Sequence, residues 1–217
     1  MGLLSIKSIV LSVCSTNCYI LYDNETKEGF IIDPAASPDR IIDLITRLGV
    51  DVKGILLTHG HFDHIGGTNA LKDRYNVKVY GHEDEVDMAR DVMINLSAHF
   101  DEANSVEIDN PLKDGQDFEM AGFKIKVIHT PGHTKGSCCY IVTDDEKERL
   151  FSGDTIFYHS YGRTDLPTGS GGTIIRSILD KLLVLDGSME VFPGHGDTTT
   201  IDEEKKWYRR DISGNIN

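Results

Sequence analysis

Seven histidine and aspartate residues of this chain stand where a two-metal site would need them. The densest group is THGHFDH, Thr58 to His64. It sets His59, His61, Asp63 and His64 side by side, directly after the apolar run Ile55-Leu56-Leu57. Three more come singly: His133 in TPGH, Asp154 in SGDT and His195 in PGHG. Each follows a strand-like apolar stretch, and strand ends are where open α/β architectures place their chemistry. Imidazole nitrogen and carboxylate oxygen suit zinc, iron and manganese. His59 and His61 are two apart, so in an extended segment they project to one side and can bind one ion. His133 would complete that set and leave room for water. Asp63 and His64 can face a second ion with His195, and Asp154 has two oxygens with which to serve both. A hydroxide between the ions would be the nucleophile, because a metal lowers the pKa of bound water to roughly 7. Asp63 and Asp154 are then the carboxylates expected to act in catalysis, and no serine or cysteine nucleophile is required. His82, His99, His129 and His159 are isolated and read as structural or solvated groups.

The surrounding pattern says what must hold these residues. Three strands open the chain, Ile6 to Val13, Cys18 to Tyr22 and Phe30 to Ile32. A helix follows, with Ser37 as N-cap, Pro38 at its first position, a stripe of Ile41, Ile42, Ile45 and Leu48, and Gly49 at its exit. A short buried strand from Gly54 to Leu57 leads into the histidine cluster. A second helix is predicted from Asp63 toward Tyr75, then a strand from Val77 to Tyr80. Residues 82 to 104 are polar and predicted helical. Strands return at Phe123 to Ile128, Cys139 to Val142 and Leu150-Phe151. An amphipathic helix covers Thr173 to Leu185, a last strand Glu190 to Phe192, and Thr200 with Glu203 makes a capping-box pattern for a C-terminal helix. Two central sheets with helices outside both would cover every apolar face. The expected fold is α/β, a four-layer αββα sandwich, in one domain over residues 1–217.

Composition narrows the function. At 217 residues with 39% apolar and 26% charged residues, the chain can bury a core without a metal staple. Its net charge of −13, from 22 basic and 35 acidic side chains, disfavours nucleic acid as a partner. Cys138 and Cys139 are adjacent and would point to opposite faces of a strand, and Cys14 and Cys18 have no second pair to complete a soft-metal site. All four are expected to be buried, reduced thiols of a cytoplasmic protein. The N-terminus does not read as a signal peptide, and no stretch approaches ~20 apolar residues, so no membrane span is expected. The sequence leaves the oligomeric state open.

HxHxDH followed by single His, Asp and His resembles the metallo-β-lactamase superfamily over nearly the whole chain. That resemblance implies the αββα fold and divides the ligands: His59, His61 and His133 for one metal, Asp63, His64 and His195 for the other, Asp154 bridging. The implied cofactor is a pair of divalent ions, zinc first, with iron or manganese also suited. Within the superfamily the chain looks most like glyoxalase II (hydroxyacylglutathione hydrolases), through TNCYIL at Thr16 to Leu21, IIDP at Ile31 to Pro34, TPGHTKGS at Thr130 to Ser137 and GRTDLP at Gly162 to Pro167. Glyoxalase II places a basic substrate-binding residue in this last region, which makes Arg163 a candidate for a substrate carboxylate. Tyr158 and Tyr161 flank the same loop as candidate pocket residues. The larger glyoxalase II enzymes continue into a helical domain with glutathione-binding residues, and they carry a tyrosine two past the last histidine where this chain has Asp197. The resemblance therefore points to the compact members of the branch. It implies hydrolysis of a small-molecule thioester of the S-lactoylglutathione type. A mononuclear-iron persulfide dioxygenase, sharing the fold and a similar GRTD segment, is the alternative. β-Lactamases of the superfamily commonly use a cysteine ligand in the second site, and none of the four cysteines lies in a ligand motif.

Overall fold

The computed structural model describes residues 3–12, 14–100, 103–145 and 147–214. Two six-stranded sheets lie at its centre. The first holds β1 (Leu4–Leu11), β2 (Thr16–Asp23), β3 (Glu28–Ile32), β4 (Asp51–Leu56), β5 (Lys78–His82) and β6 (Asn110–Leu112), in that order across the sheet. β1 to β3 pair antiparallel, and β3 to β6 pair parallel. The second sheet runs β12-β11-β10-β9-β8-β7. Its strands are β7 (Asp117–Met120), β8 (Phe123–His129), β9 (Cys138–Asp144), β10 (Lys147–Gly153), β11 (Glu190–Pro193) and β12 (Thr199–Thr200). Only β10 and β11 are parallel neighbours there.

Side-chain alternation explains the layering. Along β2, Tyr19 and Leu21 enter the core between the sheets, while Cys18, Ile20 and Tyr22 face the core beneath the helices of the first sheet. Along β9, Cys138, Tyr140 and Val142 face inward, and Cys139 and Ile141 face the outer core. The adjacent cysteines thus serve different cores, as the strand period required. On the first sheet, α1 (Pro38–Leu48) and α3 (Thr68–Tyr75) contribute Ile41, Ile45 and Leu71 to the outer core. On the second, α5 (Gly171–Ser177), the π-turn Ile178–Leu182 and α6 (Ile201–Gly214) contribute Ile174, Ile178, Leu182 and Ile201. Three apolar interfaces between four layers make the αββα sandwich that the strand and helix pattern predicted. No helix among the described residues is long and apolar enough to cross a membrane.

Several local expectations are corrected. The first strand is Leu4–Leu11, and Val13 lies outside the described residues. Ser37 is not a side-chain cap: it adopts a left-handed conformation (φ 48°) and makes no capping bond. The helix predicted from Asp63 to Tyr75 is split into α2 (Phe62–Ile65) and α3. At the break, Gly67 N donates out of the helix to Pro34 O at 2.6 Å, and a methyl group on Gly66 would collide with the Ala35 carbonyl oxygen. Among the described residues of the 82–104 segment, helix is confined to α4 (Val86–Arg90) and two short 3-10 turns, Glu83–Glu85 and Ser97–His99. Asp91 and Asn95 side chains there accept from Met93 N and Ser97 N, offering the backbone an alternative to helix. Cys14, expected to be buried, is exposed, whereas Cys18, Cys138 and Cys139 are buried.

The close approach at Gly66 sets a test. Gly66→Ala is expected to cost about 1–3 kcal/mol through overpacking against backbone, read as a lower urea midpoint with an unchanged slope. An unchanged midpoint would show that the 34–36 segment yields freely.

Candidate metal centre

Strand direction brings the chemistry together. β3, β4 and β5 run one way in the first sheet, and β8, β10 and β11 share a direction in the second. The segments that leave these strands carry His59, His61, Asp63 and His64 (after β4), His133 (after β8), Asp154 (after β10) and His195 (after β11). All seven meet in one cluster. Six are buried, and His195 is partly exposed.

Two groups share a carboxylate. His61 Nδ1 lies 2.8 Å from His133 Nε2, which lies 3.2 Å from His59 Nε2. These three rings stand edge to face at 78–86° to one another, so their lone pairs converge. His64 Nε2 is 3.4 Å from His195 Nε2 and 3.8 Å from Asp63 Oδ2. Asp154 Oδ2 is 3.4 Å from both His133 Nε2 and His195 Nε2, and its Oδ1 is 3.3 Å from His64 Nε2. That Oδ1 is buried without a hydrogen bond, as is His61 Nε2. A buried carboxylate oxygen lacking a donor, among converging nitrogens, is an arrangement that a cation satisfies.

The outer nitrogen of four rings is anchored. His64 Nδ1 bonds Asp33 Oδ2 (2.9 Å), His133 Nδ1 the Arg163 carbonyl (2.7 Å), His195 Nδ1 the Cys14 carbonyl (3.1 Å) and His59 Nδ1 the Thr58 hydroxyl (3.2 Å). Each bond orients its ring and leaves Nε2 facing the cluster. Thr16 Oγ1 donates to Asp63 Oδ2 at 2.9 Å. Asp33 also accepts from Thr58 N and Thr58 Oγ1, at 2.8 and 2.6 Å. At Gly194, a Cβ would collide with Asp154 Oδ1 and crowd His64, so only glycine lets the chain before His195 come this close.

The chain belongs to the metallo-β-lactamase superfamily. The family model for that superfamily matches residues 11–195, most of the chain. The chain is 35% identical to a hydroxyacylglutathione hydrolase of Haemophilus influenzae, over 94% of this chain and 96% of that one. Among solved structures it is similar to the BLEG-1 B3 metallo-β-lactamase, with TM-score 0.85 and 35% identity over 93% of this chain and 97% of the other. It is also similar to TTHA1623 in a di-iron-bound form, with TM-score 0.78 and 31% identity over 92% and 97%. Proteins of this superfamily bind divalent metals, and the cluster is this member's candidate metal centre.

Electrostatics differ between the two groups. Burial holds His59 well below the ordinary imidazole range, and burial with the neighbouring His133 lowers His61 to about 3. Burial also lowers His133. These rings are already in the neutral form that binds metal. Burial opposes the charge on His64 and His195 too, but Asp154 and Asp63 outweigh it. His64 is held well above its usual range, and His195 is raised to about 9. Burial likewise opposes ionisation of Asp154, yet His64 and His195 hold its carboxyl well below the usual range.

Other residues fall outside the motifs. Glu85 is buried after β5, where burial raises its carboxyl to about 7. It accepts from Gly60 N (2.7 Å), Thr134 Oγ1 (2.9 Å) and Gly136 N (2.9 Å), tying the loop of His59 and His61 to the loop of His133. Sequence reasoning assigned no role to Asp33, Glu85 or Thr16. Asp33 and Glu85 did carry one signal, since each lies just past a strand of the first sheet, as His59 does. His82 and His129, with Asp84, also bring ligand atoms within 4.8 Å of one another. Their rings stack in parallel (3.8 Å, 11°), which keeps their lone pairs from meeting at one point. His159 packs between Tyr158 and Trp207 and bonds Glu203.

A cavity of ≈ 720 Å³ opens over the cluster. Arg163 lines it, with its guanidinium in a two-bond pair with Asp165 (2.7 and 2.8 Å). His99 and Cys14 line it as well; His99 is exposed, as its solvated reading expected, whereas the buried reading of Cys14 does not hold. Tyr158 and Tyr161 are not among its lining residues. Tyr158 borders a separate surface depression beside Thr199 and Glu203, because its ring turns away to stack on His159.

Two measurements probe this arrangement. Near neutral pH His64 and His195 carry protons that a ligand nitrogen must lose. Zinc added to chelator-treated protein is therefore expected to release protons, with affinity for the Asp63, His64 and His195 group rising with pH up to about 9. Calorimetry in buffers of different ionisation enthalpy reads this directly, and proton-neutral binding would contradict it. Glu85→Ala strands three donors in the interior and is expected to cost ~3 kcal/mol of stability. It should also lower the zinc retained after gel filtration, and wild-type retention would show that the loops hold their geometry without it.

Proposed function

We propose that the protein is a binuclear metal-dependent thioesterase of the hydroxyacylglutathione hydrolase type. The observation that carries this is Asp154, whose Oδ2 stands 3.4 Å from a histidine of each group. On this reading His59, His61 and His133 would hold one ion and Asp63, His64 and His195 the other, with Asp154 available to either. The 35% identity to the Haemophilus influenzae hydrolase, spanning nearly all of both chains, supports a thioester as the bond cleaved.

Bound divalent ions supply Lewis acidity toward the thioester carbonyl and bring the acidity of water close to neutral pH. The chain's own residues do the rest. Asp63 and Asp154 keep two negative charges fixed in a buried site, with Thr16 orienting the first. Arg163, which lines the cavity and pairs with Asp165, is the proposed partner of a substrate carboxylate that would compete with Asp165. Water adds to the carbonyl carbon, the C–S bond breaks, and carboxylic acid and thiol leave. Thiols ionise near ~8.5, so the leaving group needs no strong general acid. Zinc is the proposed metal. The donor set accepts iron equally well, and a 31% identical relative is known in a di-iron form.

Two other readings share the site. The anchoring of His64, Asp63 and His195 favours two ions over the mononuclear-iron persulfide dioxygenase. The likeness to a B3 metallo-β-lactamase favours β-lactam amide hydrolysis as a second activity. The deciding experiment measures metals per chain together with S-lactoylglutathione, nitrocefin and glutathione persulfide turnover on one preparation. Two metals and thioester hydrolysis, falling at least a hundredfold with the second ion lost in Asp63→Ala, are expected. One iron per chain with oxygen uptake on the persulfide would overturn the proposal.

A further inference from the structure

We propose that the acyl group this site accepts is bulky and apolar, an aromatic or medium-chain aliphatic acyl rather than a small hydroxyacyl. This rests on the thioesterase reading above. The cavity over the cluster is bounded by Phe62, Leu96, Phe100, Phe157 and Leu166. Phe62 and Phe100 stack face to face at 3.9 Å and 18°, forming one continuous apolar wall directly beside His61 and Asp63. Phe157 stands edge-on to His195 at 5.8 Å, which extends apolar surface to the other side of the cluster. Phe100 is 47% exposed, a large aromatic surface left open to solvent at the mouth of this cavity.

Polar groups that would recognise a hydroxyacyl are scarce. Outside the cluster, the polar side chains on the wall are Cys14, His99 and Arg163. Arg163 is on the 162–167 segment and is the one fixed charge among them. A thiol carrier bearing a carboxylate has its partner there. The wall built from Phe62 and the 96–100 segment is then left for the acyl half. A cavity of ≈ 720 Å³ is of the size that encloses a whole small organic ligand, and a lactoyl group would leave this apolar wall wet. Moving methylenes from water onto such a wall favours binding by about fourfold per methylene.

The test uses the metal-loaded protein and one thiol throughout. Acetyl, lactoyl, butanoyl, hexanoyl and benzoyl thioesters of glutathione are compared by kcat/KM. The value is expected to rise about fourfold per methylene from acetyl to hexanoyl, with lactoyl below butanoyl. Phe100→Ala and, separately, Leu166→Ala should each lower the hexanoyl-to-acetyl ratio at least fivefold, with folding checked by circular dichroism. A flat or falling series, or lactoyl as the best substrate, overturns this inference and leaves the thioesterase standing. If protein holding two ions per chain hydrolyses no member, the thioesterase reading falls and this inference with it.

Discussion

Five imidazoles and two carboxylates crowd into one pocket, and a hydrogen bond on the far side of most rings is what keeps them aimed. Converging lone pairs repel, and burial removes the water that would soften the repulsion. Asp33, the Arg163 carbonyl, the Cys14 carbonyl and the Thr58 hydroxyl each restrain one ring from behind. Asp33 does the most. Its carboxylate accepts from His64 and twice from Thr58, so it sets both a ring and the path of the chain into the histidine motif. It reaches that position because it leaves β3 in a left-handed conformation, φ 50°.

The sandwich makes these anchors available. Parallel neighbours β3, β4 and β5 release their chains at one edge of the first sheet, and β8, β10 and β11 do so in the second. The apolar contact between the sheets, with Phe30, Leu56, Tyr140 and Phe151, presses those edges together. Tyr140 adds a polar tie, its hydroxyl donating to Leu57 O at 2.7 Å. Cys138 N donates to Thr58 O, stitching the second sheet to the first immediately beside His59. Packing, backbone bonding and ligand placement are therefore one arrangement seen at three scales.

Much of this was legible in the chain. THGHFDH and the three single residues identified the cluster, since few segments place so many imidazoles beside a strand-like run. Adjacent Cys138 and Cys139 were read onto opposite faces of a strand, and they do serve different cores. Sequence reasoning lost its grip where polar side chains compete with the backbone. Asp91 and Asn95 turn residues 91–100 into a loop that a composition-based reading takes for helix. The break at Gly66 and Gly67 was hidden because it depends on Pro34 and Ala35, thirty residues earlier. Glu85 escaped for the same reason: its meaning lies in Gly60, Thr134 and Gly136, and nothing in its own neighbourhood announces them. Tyr158 and Tyr161 were near the site in sequence, yet Tyr158 is drawn off by its stack on His159.

The ties around the cluster are long-range. Glu85 reaches Thr134 across 49 positions, His133 reaches Arg163 across 30, and His195 reaches Cys14 across 181. Contacts of such separation reward the chain only after the intervening loops have closed. The candidate metal centre thus depends on both sheets being in place and in contact. In small zinc-dependent modules the ion organises the chain. Here the anchors of the ligand rings belong to the sandwich itself, so the folded chain sets their geometry.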